Sequence, residues 1–189
     1  MTWYEFFKWV HVVTAVVWIG GAAMSQAYAF RILATGDGKR QAQFAKDTEV
    51  ISTRLFIPAS LLLVVAGIGM MANADLPWDQ NWILFGLTAF ALSFVLGAGF
   101  LGPEGGRIAK LIEREGPESP AVLVRIRRIL TFSRAELVVL LTVVWAMVVK
   151  PAGESGWFWA ALAVMAVAII GVFVLYRRSE QTAPAPAVE

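Results

Sequence analysis

The chain has 189 residues, 58% hydrophobic and only 16% charged, with a formal net charge of +2. That balance excludes an ordinary soluble domain and predicts an all-α, multi-pass membrane protein whose first partner is the lipid bilayer. There is no cysteine, which excludes disulfides, thiolate metal sites and iron–sulfur clusters.

Five apolar stretches predict five transmembrane helices, at about residues 4–30, 55–72, 82–101, 134–150 and 157–176. Each approaches the ~20 residues a helix needs to cross ~30 Å of hydrocarbon. The first four form a predicted four-helix core, and the fifth is an extra C-terminal span. Residues 1–178 read as one domain, and 179–189 as a disordered cytoplasmic tail. The start, MTWYEFFK, is aromatic and acidic and does not read as a cleavable signal.

Loop charge sets the expected orientation. Fourteen of the sixteen basic residues fall between spans one and two, between spans three and four, or after span five. The N-terminus is therefore expected outside and the C-terminus inside, in a bacterial cytoplasmic (inner) membrane. The two basic residues left on the outer side are Lys8 and Lys150.

In the first span, helical periodicity places Lys8, His11, Thr14, Ala15, Trp18, Gly21, Ala22 and Ser25 on one stripe. Small and hydroxyl residues favour close packing in lipid, so this stripe is expected to face protein, and Val10, Val13 and Val17 to face lipid. A polar helix follows and runs into the second span, where Pro58 is expected to introduce a kink. The third span is expected to end at Gly102-Pro103. Two amphipathic helices come next, GRIAKLIERE and AVLVRIRRIL, the latter capped by Ser119-Pro120. Arg125, Arg127 and Arg128 are expected to attract anionic headgroups rather than nucleic acid. In the fourth span, Glu136 invites a local ion pair with Arg134 or Arg54, or a proton-relay role.

His11 is the only histidine. Ionisable groups inside spans are rare and face a site or cavity, and neutral imidazole binds iron, copper or zinc. A packed histidine with a carbonyl or hydroxyl partner is the competing reading. With one imidazole, a monomer cannot form a bis-histidine haem, so the sixth position would hold a methionine, a lysine, water or His11 of a second subunit in a homo-oligomer, or stay vacant. Met70 lies 16 residues past Arg54 and Met147 lies 13 past Arg134, ~24 Å and ~20 Å up their helices, which brings both near the depth of His11. Lys8 is one turn above His11 and Lys150 closes the fourth span, so outward-pointing propionates would meet both. His11 with Met70, Met71 or Met147 would instead suit copper.

The stretch KWVHVVTAVVWIGGAAMSQAYAFR resembles the first span of a group of small bacterial membrane proteins with an H-x6-W-x-G/A-G signature, here His11, Trp18, Gly20 and Gly21. The group includes the HemJ-type protoporphyrinogen oxidases, the CopD-like copper-resistance proteins and, as the nearest overall match, an uncharacterised family of predicted integral membrane proteins. The fourth span, SRAELVVLLTVVWAMVVKP, resembles the last span of the HemJ type at Arg134, Glu136, Lys150 and Pro151. The resemblance implies haem b on His11, with Trp18 in the same signature. Ala135 and Val138 replace the asparagine and proline of the HemJ pattern, and a fifth span is added, departures that bear on protoporphyrinogen oxidation itself and leave haem binding open. The expected role is membrane electron transfer or oxidoreduction, with a quinone or a redox protein as partner. Copper handling and a non-catalytic accessory subunit are the alternatives.

Overall fold

A computed structural model describes residues 1–74 and 76–181, with side chains described throughout except at 98, 172, 173, 175, 176 and 178–181. The described residues are helical apart from short turns. The helices are α1 (Trp3–Ala34), α2 (Gly38–Ile51), α3 (Ile57–Ala72), α4 (Asn81–Leu96), α5 (Gly102–Glu115), α6 (Pro120–Val149) and α7 (Gly156–Gln181).

Four continuous helical segments are long and apolar enough to cross a membrane: Trp3–Ala34, Gly38–Ala72, Asn81–Glu115 and Pro120–Val149. The apolar part of α7, Gly156–Gly171, is shorter, so the fifth stretch differs in length from the other four. Every one of these helices exposes large aliphatic side chains: Val16 is 67% exposed, Val65 59%, Val95 67%, Val148 76% and Val167 71%. Apolar exposure on every helix is what a lipid environment requires and what a soluble bundle avoids. Of the expected tail, residues 179–181 continue α7 and the rest lies outside the described residues.

The helix ends follow from local chemistry. Thr2 and Glu5 form a reciprocal capping box at the start of α1, with the Glu5 N–H donating to Thr2 Oγ1 at 3.2 Å and the Thr2 N–H donating to Glu5 Oε2 at 2.7 Å. Ser119 occupies the N-cap position of α6 ahead of Pro120, but its hydroxyl donates to Glu115 Oε2 at 2.7 Å instead of capping the helix. At the far end, α6 closes on Lys150, which adopts a left-handed φ of 49° and donates its N–H to the Ala146 carbonyl at 2.8 Å.

Two π turns carry one helix into the next. Residues Ser52–Phe56 carry α2 into α3, and Gly97–Leu101 carry α4 into α5. Each lies just ahead of a proline, Pro58 or Pro103. A proline has no N–H and clashes with the carbonyl four residues back, so the α ladder fails there. The wider turn reroutes the bonding: the Ile57 N–H donates to Ser52 O and the Gly102 N–H to Gly97 O. The chain therefore does not break at Gly102-Pro103, as its sequence led one to expect.

Packing divides between the two ends of the bundle. At one end, α1, α2, α5 and the start of α6 bury Ala29, Ile32, Ala42, Phe44, Ile108, Ile112, Val122, Ile126 and Leu130 together. Glu104 is buried here and accepts from Arg125 at 2.5 Å and Arg107 at 3.2 Å. Towards the other end, α4, α6 and α7 share a second cluster built on Phe85, Ala89, Val139, Ala146, Ala161 and Met165. The remaining extensive contact is between α1 and α3.

Candidate functional site

The α1–α3 interface is antiparallel and depends on glycine. Phe7 sits where a Cβ on Gly69 would be, within 2.7 Å, and the His11 imidazole lies 3.3 Å from where a Cβ on Gly67 would be. Such close approach lets the two backbones meet without a hydrophobic driving force between them. It also brings His11 Nδ1 to 2.8 Å from the Leu63 carbonyl oxygen. A carbonyl only accepts, so Nδ1 carries a proton, and in the neutral imidazole Nε2 carries the lone pair. The half-buried imidazole is thus fixed in one tautomer and one orientation, with its unprotonated nitrogen uncommitted to Leu63.

The rest of the predicted stripe divides. Thr14 is buried, but its hydroxyl donates to the Val10 carbonyl at 2.8 Å and reaches the His11 carbonyl at 3.1 Å, which leaves none for the imidazole. Trp18 is half-buried and meets Phe90 of α4 edge-on, with ring centroids 6.2 Å apart. Val13 and Val17 are exposed, as expected of lipid-facing residues. Val10 is a correction: it is half-buried and lines a groove of about 260 Å³ with Phe6, Phe7, Leu62, Val65 and Ala66, because α3 lies over this side of α1.

Lys8 is exposed, with its ammonium 5.9 Å from the Tyr4 ring centroid. Lys150 is exposed and lies 4.7 Å above the Trp82 ring of α4. Met147 directs its methyl at Gly86 of α4, occupying the place a Cβ would take there. Met70 is half-buried near the end of α3 and Met71 is buried. The contacts of His11 thus lie on α3, whereas those of Met147 and Lys150 lie on α4. Among the described residues, no group of three or more His, Asp or Glu side chains is arranged to hold a metal ion.

A second polar layer lies further along the bundle. Ser93 of α4 donates to Glu136 of α6 at 2.5 Å, and Arg134 of α6 donates to Gln26 of α1 at 3.3 Å while its guanidinium covers the Phe30 ring at 4.2 Å. The ion pair expected of Glu136 is not formed with Arg134 or Arg54: Ser93 and Gln26 take those places. Two residues along a helix are ~200° apart, so Arg134 and Glu136 reach opposite neighbours.

The chain matches, over residues 5–151, the model of a family described as "Predicted integral membrane protein (DUF2269)". The chain belongs to this family. No curated protein and no solved structure matches it. Membership agrees with the four long apolar helices and establishes an integral membrane protein. The match ends just after α6 and leaves α7 outside it.

Leu63 and Gly67 were absent from the sequence-based site. A backbone acceptor leaves no residue signature, and Gly67 stood only as one of several small residues in AGIG. Ser93 and Gln26 were missed because one polar residue in an apolar run does not announce its partner.

Proposed function

We propose that this protein is a membrane-embedded b-type haem protein that carries electrons, with His11 as the axial ligand. The observation that carries the reading is the Nδ1 hydrogen bond from His11 to the Leu63 carbonyl. Histidines that ligate metals characteristically donate their other ring N–H to a carbonyl or carboxylate, which fixes the ring and raises the basicity of the ligating nitrogen. The residues fit a haem held from one side: an anchored imidazole within an apolar bundle. A bound haem would supply one-electron chemistry; the chain's own part is to hold the imidazole and to exclude water around it. Lys8 and Lys150, both exposed, are the proposed basic partners of the propionates.

This reading takes the first-span resemblance to the HemJ type as its second support. It places the His11 end at the outer face of a bacterial inner membrane, following the loop charges, with α7 as a fifth span. A quinone or a redox protein would exchange the electron. Copper bound by His11 with methionine is the weaker reading, because the methyl of Met147 is packed against Gly86.

The test is the reduced-minus-oxidised visible spectrum of the protein purified in mild detergent from haem-replete cells. Soret and alpha bands that vanish in His11→Ala support the proposal. A colourless wild-type preparation overturns it; metal analysis would then distinguish copper from an accessory subunit with a merely packed histidine.

A further inference from the structure

Glu136 plays no part in the proposed haem site, yet it sits in an apolar helix bundle with an unusual set of partners. Glu136 is half-buried, and its carboxyl accepts one hydrogen bond, from the hydroxyl of Ser93, which is itself only 5% exposed. An ionised carboxylate removed from water is strongly disfavoured unless it is paired. Among the described residues, none of the ion pairs involves Glu136.

Among the described residues, the neighbouring elements place no charge against it. Arg134 is the nearest cation along α6, but it is turned to α1, where it bonds Gln26 and covers Phe30. Helix α4, Asn81–Leu96, contains no charged residue, and the apolar part of α7, Gly156–Gly171, contains none either. The charges of α7 begin at Arg177, which is exposed. On α1, Arg31 is exposed and lies beyond Gln26.

We propose that Glu136, hydrogen-bonded to Ser93, is an intramembrane proton-binding site that exchanges its proton with water. The proton is favoured over a metal cation by the donor set. A hard cation takes several oxygen ligands, whereas the described side-chain oxygens bonded here are one carboxylate and one hydroxyl. Arg134 two residues away takes the role of a fixed charge held on the α1 side, so the polar layer separates an immobile cation from a titrating acid. Intramembrane carboxyls with this environment are the elements from which proton relays are built. The proposal does not depend on haem and stands or falls separately from the reading of His11.

The test is infrared spectroscopy of the full chain in lipid vesicles, which reads the carbonyl stretch of a protonated carboxyl. At neutral pH the wild type is expected to show such a band, shifted in heavy water, lost reversibly as pH rises, and absent in Glu136→Gln. Ser93→Ala, which removes the hydrogen bond but keeps the acid, is expected to retain the band at higher frequency. Should Glu136→Gln fail to fold, the Ser93→Ala shift serves as the assignment. Wild-type and Glu136→Gln spectra without a difference in this region overturn the proposal, as does a Ser93→Ala band at the wild-type frequency. Loss of the band on adding sodium at fixed pH also overturns it, in favour of a cation site.

Discussion

The imidazole of His11 on α1 is bonded through Nδ1 to the carbonyl of Leu63 on α3, at 2.8 Å. This joins an ionisable side chain to another helix's backbone where Gly67 lets the helices approach. The partner is main chain, so no side-chain substitution at Leu63 removes it, and the contact is best tested through the glycine.

Replacing Gly67 with valine should displace the imidazole. Even a Cβ would stand 3.3 Å from Nδ1, and the branches of valine come closer. Overpacking of this kind costs about 1–3 kcal/mol. Gly67→Val is expected to lower the thermal midpoint in detergent and to shift or abolish the haem spectrum. Gly105→Val on α5, where a Cβ meets nothing within 4 Å, is the control and should leave the spectrum unchanged.

Met147 tests the other side of the site. Its methyl fills the notch at Gly86 of α4, whereas the contacts of His11 lie on α3. Met147→Leu keeps most of the volume and should cost less than about 1.5 kcal/mol. The expected visible spectrum is that of the wild type. Loss of the alpha band with retention of haem would instead assign Met147 to the iron.

How far the sequence reached is clear from these residues. Apolar run lengths located the membrane-crossing helices, and periodicity identified the stripe of α1 that holds His11, Thr14 and Trp18. Counting residues at 1.5 Å each gives an expected depth. What counting does not provide is azimuth. Met147 was placed level with His11, but the side of α6 it occupies meets α4. Val10 was assigned to lipid because three valines share a face, and only the course of α3 brings it under cover. The π turns escaped notice because proline announces a broken α ladder without saying what replaces it.

Lys150 offers a test of the α6 terminus that separates backbone from charge. Its φ of 49° is left-handed, a conformation that costs an L-residue about 1–2 kcal/mol and glycine almost nothing. Lys150→Gly and Lys150→Ala both remove the ammonium over Trp82. The glycine variant is expected to be more stable than the alanine variant by about 1 kcal/mol, read as a higher thermal midpoint. If Lys150 holds a propionate, both variants should retain less haem than the wild type, to the same extent.

The absence of cysteine makes topology directly measurable. Single cysteines at Glu154, between α6 and α7, and at Asp37, between α1 and α2, would report opposite faces. With the His11 end outside, a membrane-impermeant thiol reagent added to intact cells, with the outer membrane opened where one is present, should label Glu154→Cys. Asp37→Cys should be labelled only after lysis. The reverse pattern would invert the orientation drawn from loop charge.

The central claim is that the Nε2 lone pair of His11 is an iron ligand. The most direct measurement is a cavity experiment: His11→Gly is purified with and without imidazole in the buffer, and haem content and spectrum are recorded. The account predicts a haem-depleted variant that regains the wild-type bands when imidazole is supplied. Unchanged haem content in His11→Gly without imidazole would contradict it.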